Sequence, residues 1–376
     1  MTSTHATRRE FAGRVMSEIG RAAVERWRIG AAPRAPRDIT PPWLTELLGR
    51  RVDEVEVCDE EQGTSTRARL RLAGDGVPDT VFVKTTPTRP IERLFNNVYG
   101  LGYTEAFFYR LVAPENPGCT PAVYGTRWDA GTGRSVVVIE DLAARGTRFS
   151  HAGVACTADE AAVMTRAVAG LHRTYWESAR FGTDLSRFSM HRASHRYSVY
   201  STGLTARVPH RYDDIVDTEF RRAALVLHTR REGVARVWRA LPQSLLHGDT
   251  HRGNLGFDER GVTLFDWQVA GQGPALKDLA YFTATSLAPE VRRSIERDLV
   301  HEYVGIVRAG GAADITDQQA WEQYRLLVVT GYVAAAFTTV FAGRLQSEDI
   351  MRPALSRAVT AVRDHDAFAR LRRRFT

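Results

Sequence analysis

The stretch Leu245–Gln268 reads LLHGDTHRGNLGFDERGVTLFDWQ. It begins as an apolar, strand-like run, turns polar at His247 and becomes apolar again at Leu264. LGF and VTLF flank the turn DERG, which is a hairpin pattern. Asp249 and Asn254 lie in the loop before the first strand of that hairpin, and Asp266 ends the second. A hairpin brings its ends together, so the spacing predicts that Asn254 and Asp266 face one another across its mouth. Both present oxygen ligands, which suit a hard ion such as Mg²⁺. Two protein ligands leave positions open for water and phosphate oxygens, the usual state of Mg²⁺ at a nucleotide. Asp249 is then free to accept a proton from a hydroxyl nucleophile. Any one of these residues alone reads as a turn former; the three together are the signal.

Around this unit the chain is ordinary for a globular protein. It has 376 residues, 43% hydrophobic and 25% charged, which is enough for a large core in two lobes. The formal net charge of +7 argues for solubility and steering rather than for any one partner. Of the 51 basic residues, only Lys84 and Lys277 are lysine. Where a generic surface cation will do, this chain writes Arg, so each lysine is informative. Cys58, Cys119 and Cys156 are far apart and form no CxxC pair, which excludes a zinc or disulfide framework and fits a reducing cytoplasm. The Arg-rich N-terminus carries acids and no secretory apolar core, and reads as an amphipathic helical extension over residues 1–40. The uncharged run Leu326–Gly343 is just long enough to be weighed as a membrane span, but reads as a buried core helix.

The pattern along the chain changes twice. Thr40 with Pro41 starts a short helix that stops at a Gly. VDEVEV (52–57), RARLRL (67–72) and TVFVK (80–84) alternate as three antiparallel strands. YTEAFFYRLV (103–112) reads as a helix, and AVYGTRW and RSVVVIEDL as two more strands. After Leu142 the chain turns helical, with Met164, Val168, Leu171 and Tyr175 on one face of the segment 158–178. Residues 216–240, 288–310, 317–343 and the tail are expected helices. The prediction is an α+β fold: a small β-rich lobe at 41–142, then a mainly helical lobe at 143–376 with one embedded hairpin.

Phosphoryl chemistry needs charge neutralised and phosphates held in line. Lys84 ends an apolar strand, and Glu105 on the next predicted helix is placed to hold it as an ion pair. The loop QGTST, with Gly63, Thr64 and Ser65, offers backbone N–H groups that can cover phosphates. VVVIEDL (136–142) ends at the lobe junction, where exposed backbone can meet an adenine edge.

Taken in order, these parts are loop, Lys, Glu, hinge, HGDxxxxN and Asp. That order resembles the aminoglycoside phosphotransferase and choline kinase group, which shares the protein-kinase-like fold. HGDTHRGN matches its catalytic loop, and FDWQ stands where protein kinases have Asp-Phe-Gly. FVK, EAFFY, IEDL and FDWQ most resemble the ecdysteroid-kinase-like and related bacterial phosphotransferases. The resemblance covers about Trp43 to Phe282. It implies that Asp249 is the catalytic base and that Asn254 and Asp266 hold Mg²⁺. It also implies that Lys84, held by Glu105, touches the α- and β-phosphates of ATP, and that the backbone of Glu140 and Leu142 takes the adenine. His247 and His251 are expected to brace the loop, and Asp278 to support it from KDLAYF. The chain departs from the group in its sparse glycine loop and in its first 40 residues.

Other classes fit less well. There is no GxxxxGK[ST], no GxGxxG after a strand and no Ala-Pro-Glu segment. A catalytically silent kinase-fold binding protein is disfavoured because Lys84, Asp249, Asn254 and Asp266 are all present. The stretch RFSMHRASHRYSVYSTGLTARVPHRYDD (187–214) comes near a basic, aromatic nucleic-acid stripe, but reads as the surface of an Arg-rich protein. An aminoglycoside-resistance kinase would need acidic walls there. This chain offers Asp213, Asp214 and Asp217 against far more Arg and His. The expected acceptor is therefore a neutral or anionic small-molecule alcohol. Neither nucleic acid nor a membrane is an expected partner, and the expected assembly is a monomer or homodimer.

Overall fold

The computed structural model describes residues 12–13, 15–21, 32–189, 207–309, 311, 314–340 and 347–375. Most of the stretch 187–214 (residues 190–206), residues 1–11 and 22–31 of the N-terminal extension, and 341–343 of the last apolar run lie outside the described residues. The chain divides into two compact units, Met1–Thr147 with Asp266–Val269, and Arg148–Phe265 with Ala270–Thr376.

The first unit is built on one antiparallel sheet. Its strands are β1 (Glu54–Gln62), β2 (Thr66–Ala73), β3 (Thr80–Thr85), β4 (Val123–Asp129) and β5 (Arg134–Glu140), in the order β1-β2-β3-β5-β4. The alternation seen in the sequence follows from the two-residue side-chain period of a strand. Ala68, Leu70 and Leu72 of β2, Val81 and Val83 of β3, and Val136 and Val138 of β5 form the core with Leu44. Leu44 lies on the short helix α1 (Pro41–Leu48). Thr40 Oγ1 caps it by accepting from Trp43 N–H at 3.4 Å, and it ends at Gly49 with φ +65°.

Between β3 and β4 stand two helices where the sequence predicted one: α2 (Pro90–Tyr99) and α3 (Leu101–Leu111). Gly100, at φ +69°, separates them. Pro90 at the first position of α2 presets the backbone. Residues 15–21 are helical, and Glu18 accepts from Arg93 Nε of α2 at 2.9 Å, both side chains being buried.

The second unit is mainly helical. Helix α4 (Ala158–Thr174) opens with a capping box, in which Thr157 and Glu160 each bond the other's backbone N–H at 3.2 and 3.1 Å. Met164, Val168, Leu171 and Tyr175 are all buried, as their spacing predicted. The expected 216–240 helix is broken into α5 (Thr218–Ala224), α6 (Val226–Thr229) and α7 (Arg231–Arg239). The pair β6 (Gln243–Leu246) and β9 (Gly271–Pro274) was not legible as a sheet, because β9 is GQGP and carries no strand pattern. The hairpin β7 (Leu255–Asp258) and β8 (Gly261–Leu264) was legible, and pairs Leu255 with Leu264 and Asp258 with Gly261.

Helix α8 (Lys277–Ser286) is buried from Asp278 to Ser286. Around it stand α9 (Pro289–Ala309), α10 (Asp317–Leu327), α11 (Val329–Val340), α12 (Glu348–Asp364) and α13 (Ala367–Arg373). The last apolar run is thus split at Val328 into parts of two helices. Among the described residues, no helix is long and apolar enough to cross a membrane. The α+β expectation, a small antiparallel sheet followed by a helical part, is what the structure shows.

Candidate active site

In the first unit, Lys84, the penultimate residue of β3, is a buried ammonium with two carboxylates on it. Its Nζ lies 2.6 Å from Glu105 of α3 and 3.0 Å from Asp266. Burial alone would lower the Lys84 pKa, but Asp266 and Glu105 outweigh it and hold the ammonium above its ordinary value. Burial also pushes the Glu105 carboxyl up, and Asp266 adds to this while Lys84 opposes it. Asp266 sits at φ +65°, a conformation few non-glycine residues adopt, and one that short polar Asp and Asn enter more readily than most. Its neighbour Trp267 stacks on Phe108 of α3 with ring centroids 3.8 Å apart, which anchors the segment.

The loop between β1 and β2 is held from two sides. Gly63 N–H donates to Ser65 carbonyl at 3.0 Å, and Thr64 Oγ1 donates to Gln268 at 3.4 Å. Asn96 of α2 donates to the Thr64 carbonyl at 2.8 Å and accepts from Gly102 N–H at 3.2 Å. Asn96 was not singled out from sequence, because the helix bearing it was not predicted. At the end of β5, the Glu140 N–H donates to Ala122 carbonyl at 2.8 Å. The Leu142 carbonyl accepts from Arg145 and Thr147, each at 3.2 Å. The Leu142 N–H donates to no acceptor among the described residues.

In the second unit, Asp249 is the focus. Its Oδ1 accepts from the Tyr281 hydroxyl at 2.6 Å, and its Oδ2 accepts from Asn254 Nδ2 at 3.2 Å and lies 3.5 Å from His251 Nε2. Burial alone would raise this carboxyl, but His251, the Tyr281 hydroxyl and His247 hold it well below the usual carboxylate range. Asn254 Nδ2 also donates to the Asp249 carbonyl at 2.9 Å. The amide is thereby turned so that its oxygen accepts from no group among the described residues. Asp266 Oδ2 likewise accepts from no group among the described residues, since its bond to Lys84 uses Oδ1.

The histidines brace the loop as expected. His247 Nδ1 accepts from Asp249 N–H at 3.2 Å, so the proton sits on Nε2, which donates to Phe265 carbonyl at 2.9 Å. His251 Nδ1 accepts from Gly253 N–H at 3.0 Å. Asp278, fully buried, accepts from His247 N–H at 2.6 Å and Gly248 N–H at 2.9 Å, and faces His172 at 3.3 Å. Tyr281, one turn further along α8, was missed. It lies in KDLAYF, but nothing in sequence spacing says that its hydroxyl reaches Asp249.

A family model described as the phosphotransferase enzyme family matches residues 70–327, most of the chain, and the protein belongs to that family. It is a phosphotransferase of the class that its sequence resembled. None of the curated proteins compared matches the chain. Among solved structures, a macrolide 2′-phosphotransferase from Brachybacterium faecium is similar at 16% identity. That match covers 83% of this chain and 95% of that one, with a TM-score of 0.44. A choline kinase from Streptococcus pneumoniae is similar at 12% identity over 86% and 97%, with a TM-score of 0.45. An aminoglycoside-3′-phosphotransferase of type VIII matches at 19% identity over 74% and 93%, with a TM-score of 0.39.

Proposed function

We propose that this phosphotransferase moves the γ-phosphoryl group of ATP to a hydroxyl of a neutral or anionic small molecule, with Mg²⁺ bound. The observation that carries this reading is the Asp249 carboxylate, oriented by the Tyr281 hydroxyl at 2.6 Å and Asn254 Nδ2 at 3.2 Å, with His251 Nε2 at 3.5 Å. An ionised, oriented carboxylate is what a general base for a hydroxyl acceptor must be. As the acceptor oxygen bonds to phosphorus, its proton passes to Asp249, the bond from phosphorus to the bridging oxygen breaks, and ADP leaves.

The other residues take supporting roles. Lys84, aligned by Glu105, neutralises the α- and β-phosphates, and the loop at Gly63, Thr64 and Ser65 covers them with the Thr64 and Ser65 N–H groups, the Gly63 N–H already donating to the Ser65 carbonyl. At the hinge the Leu142 N–H is the group open to an adenine ring. The Glu140 N–H already donates within the sheet, so the Glu140 contact reduces to its carbonyl. Asn254 and Asp266 each offer an oxygen that accepts from no donor among the described residues, which fits Mg²⁺. With two protein oxygens as ligands, a bound Mg²⁺ would take its remaining ligands from phosphate oxygens and water. Mg²⁺ there supplies charge neutralisation at the transferring phosphate. The Arg and His excess between 187 and 211 supports a neutral or anionic acceptor rather than a polycation.

The test is Asp249→Asn, with ADP release measured across a panel of hydroxylated metabolites. Turnover should fall about 10²–10⁴-fold, the usual contribution of a positioned base, while ATP affinity changes little. Near-normal phosphorylation by the variant would remove Asp249 from the chemistry.

A further inference from the structure

Lys277 is one of two lysines in a chain that otherwise uses Arg, and the roles above do not use it. It is the first residue of α8, partly buried, and donates to no acceptor among the described residues. Other interior cations are paired: Lys84 with two carboxylates, Arg252 with Glu160 at 3.0 Å, Arg292 with Glu296 at 2.6 Å. A cation in the first turn of a helix also opposes the helix dipole. Burial lowers its pKa, opposed by Asp278 and Asp249, so both carboxylates lie within electrostatic reach. Neither carboxylate is hydrogen-bonded to it: Asp278 accepts from His247 and Gly248, and Asp249 accepts from Tyr281 and Asn254. Residues four apart share a helix face. Tyr281 Oη touches Asp249 at 2.6 Å, so Lys277 lies on the α8 face that looks to the base. An ammonium on that face, near two carboxylates but hydrogen-bonded to no acceptor among the described residues, is placed to meet an anion brought to the base.

We infer that Lys277 contacts an oxygen of the phosphoryl group as that group passes to the acceptor hydroxyl at Asp249. The inference rests on the kinase reading above. In the step, the bond from phosphorus to the bridging oxygen breaks, the bond to the acceptor oxygen forms, and the proton goes to Asp249. Lys277 exchanges no proton and contributes charge alone. Fixed positive charge on a developing oxyanion acts on the transition state more than on bound nucleotide.

The experiment compares wild type with Lys277→Met, which keeps the apolar stem and removes the charge. Calorimetry measures binding of Mg²⁺–ADP alone and of Mg²⁺–ADP with aluminium fluoride, a mimic of the phosphoryl group in flight. Turnover with water as acceptor and the melting temperature are measured beside it. The variant should bind Mg²⁺–ADP as wild type does and bind the fluoride complex about 10²-fold more weakly, with turnover reduced similarly. Its melting temperature should be unchanged or higher. Lys277→Gln should behave alike, which covers the case of a misfolded Met variant. Equal binding of the fluoride complex by wild type and variants overturns the inference and leaves the kinase reading intact. So does a loss that follows a lowered melting temperature in both variants. A wild-type protein that binds neither Mg²⁺–ADP nor Mg²⁺–ATP sinks the kinase reading, and this inference with it.

Discussion

Replacing Asp278 by Asn keeps the shape of a buried side chain and changes one oxygen to an amino group. Asp278 has two oxygens and both are engaged: Oδ2 by His247 N–H at 2.6 Å and His172 at 3.3 Å, Oδ1 by Gly248 N–H at 2.9 Å. Asn can accept on one side only. On the other, its amino group meets a backbone N–H, donor against donor. The lost charge-assisted bond is worth about 1.5–3 kcal/mol, and a buried unsatisfied donor costs about 1–3 kcal/mol. Taking these together, Asp278→Asn should destabilise the second unit by about 3–5 kcal/mol, which for a domain of roughly 150–250 residues is about 6–20 °C in melting temperature.

The assay is scanning calorimetry with near-UV circular dichroism, run against pH. Burial alone would raise the Asp278 carboxyl, but His172, His247 and Lys277 hold it below its ordinary value. A depressed folded-state pKa gives stability that is complete above the unfolded pKa and lost as pH falls through the folded one. Wild type should therefore lose stability below about pH 4, and part of that slope should vanish in the variant. A variant that melts within about 2 °C of wild type yet is inactive would refute the reasoning, because Asp278 would then act in the chemistry rather than beneath it.

Two further outcomes test the first unit. Lys84→Arg should abolish turnover and destabilise by about 1–3 kcal/mol, because a wide planar guanidinium must enter a buried site built for a compact ammonium; full activity on steady-state assay would make Lys84 a bystander. Gly102→Ala gains helix propensity worth about 1 kcal/mol. However, its Cβ would lie 2.2 Å from Ser135 Oγ and 3.1 Å from Asn96 Oδ1. Urea unfolding should show a net loss of about 1–3 kcal/mol from overpacking, and a more stable variant would show that the contact yields.

Much of the site could be read from the chain alone because its parts are local. HGDTHRGN and the hairpin after it are consecutive, so the sequence alone put Asn254 and Asp266 at the two ends of one hairpin, with Asp249 in the loop five residues before Asn254. The strands were legible from a period of two and α4 from a period near 3.6, both consequences of where Cβ atoms point. A lysine at the end of an apolar strand and an acid on the next helix suggested the Lys84 and Glu105 pairing, and the structure shows it at 2.6 Å. Tertiary structure alone decided what chain distance conceals. It set Tyr281 on Asp249, Asn96 under the Thr64 loop, and Asp278 beneath the backbone of His247 and Gly248. It paired a GQGP strand with β6, since backbone hydrogen bonds need no side-chain pattern. It also left Lys277 with no hydrogen-bond acceptor among the described residues: a sequence shows that a lysine is present, but whether any acceptor reaches it depends on packing between segments far apart in the chain.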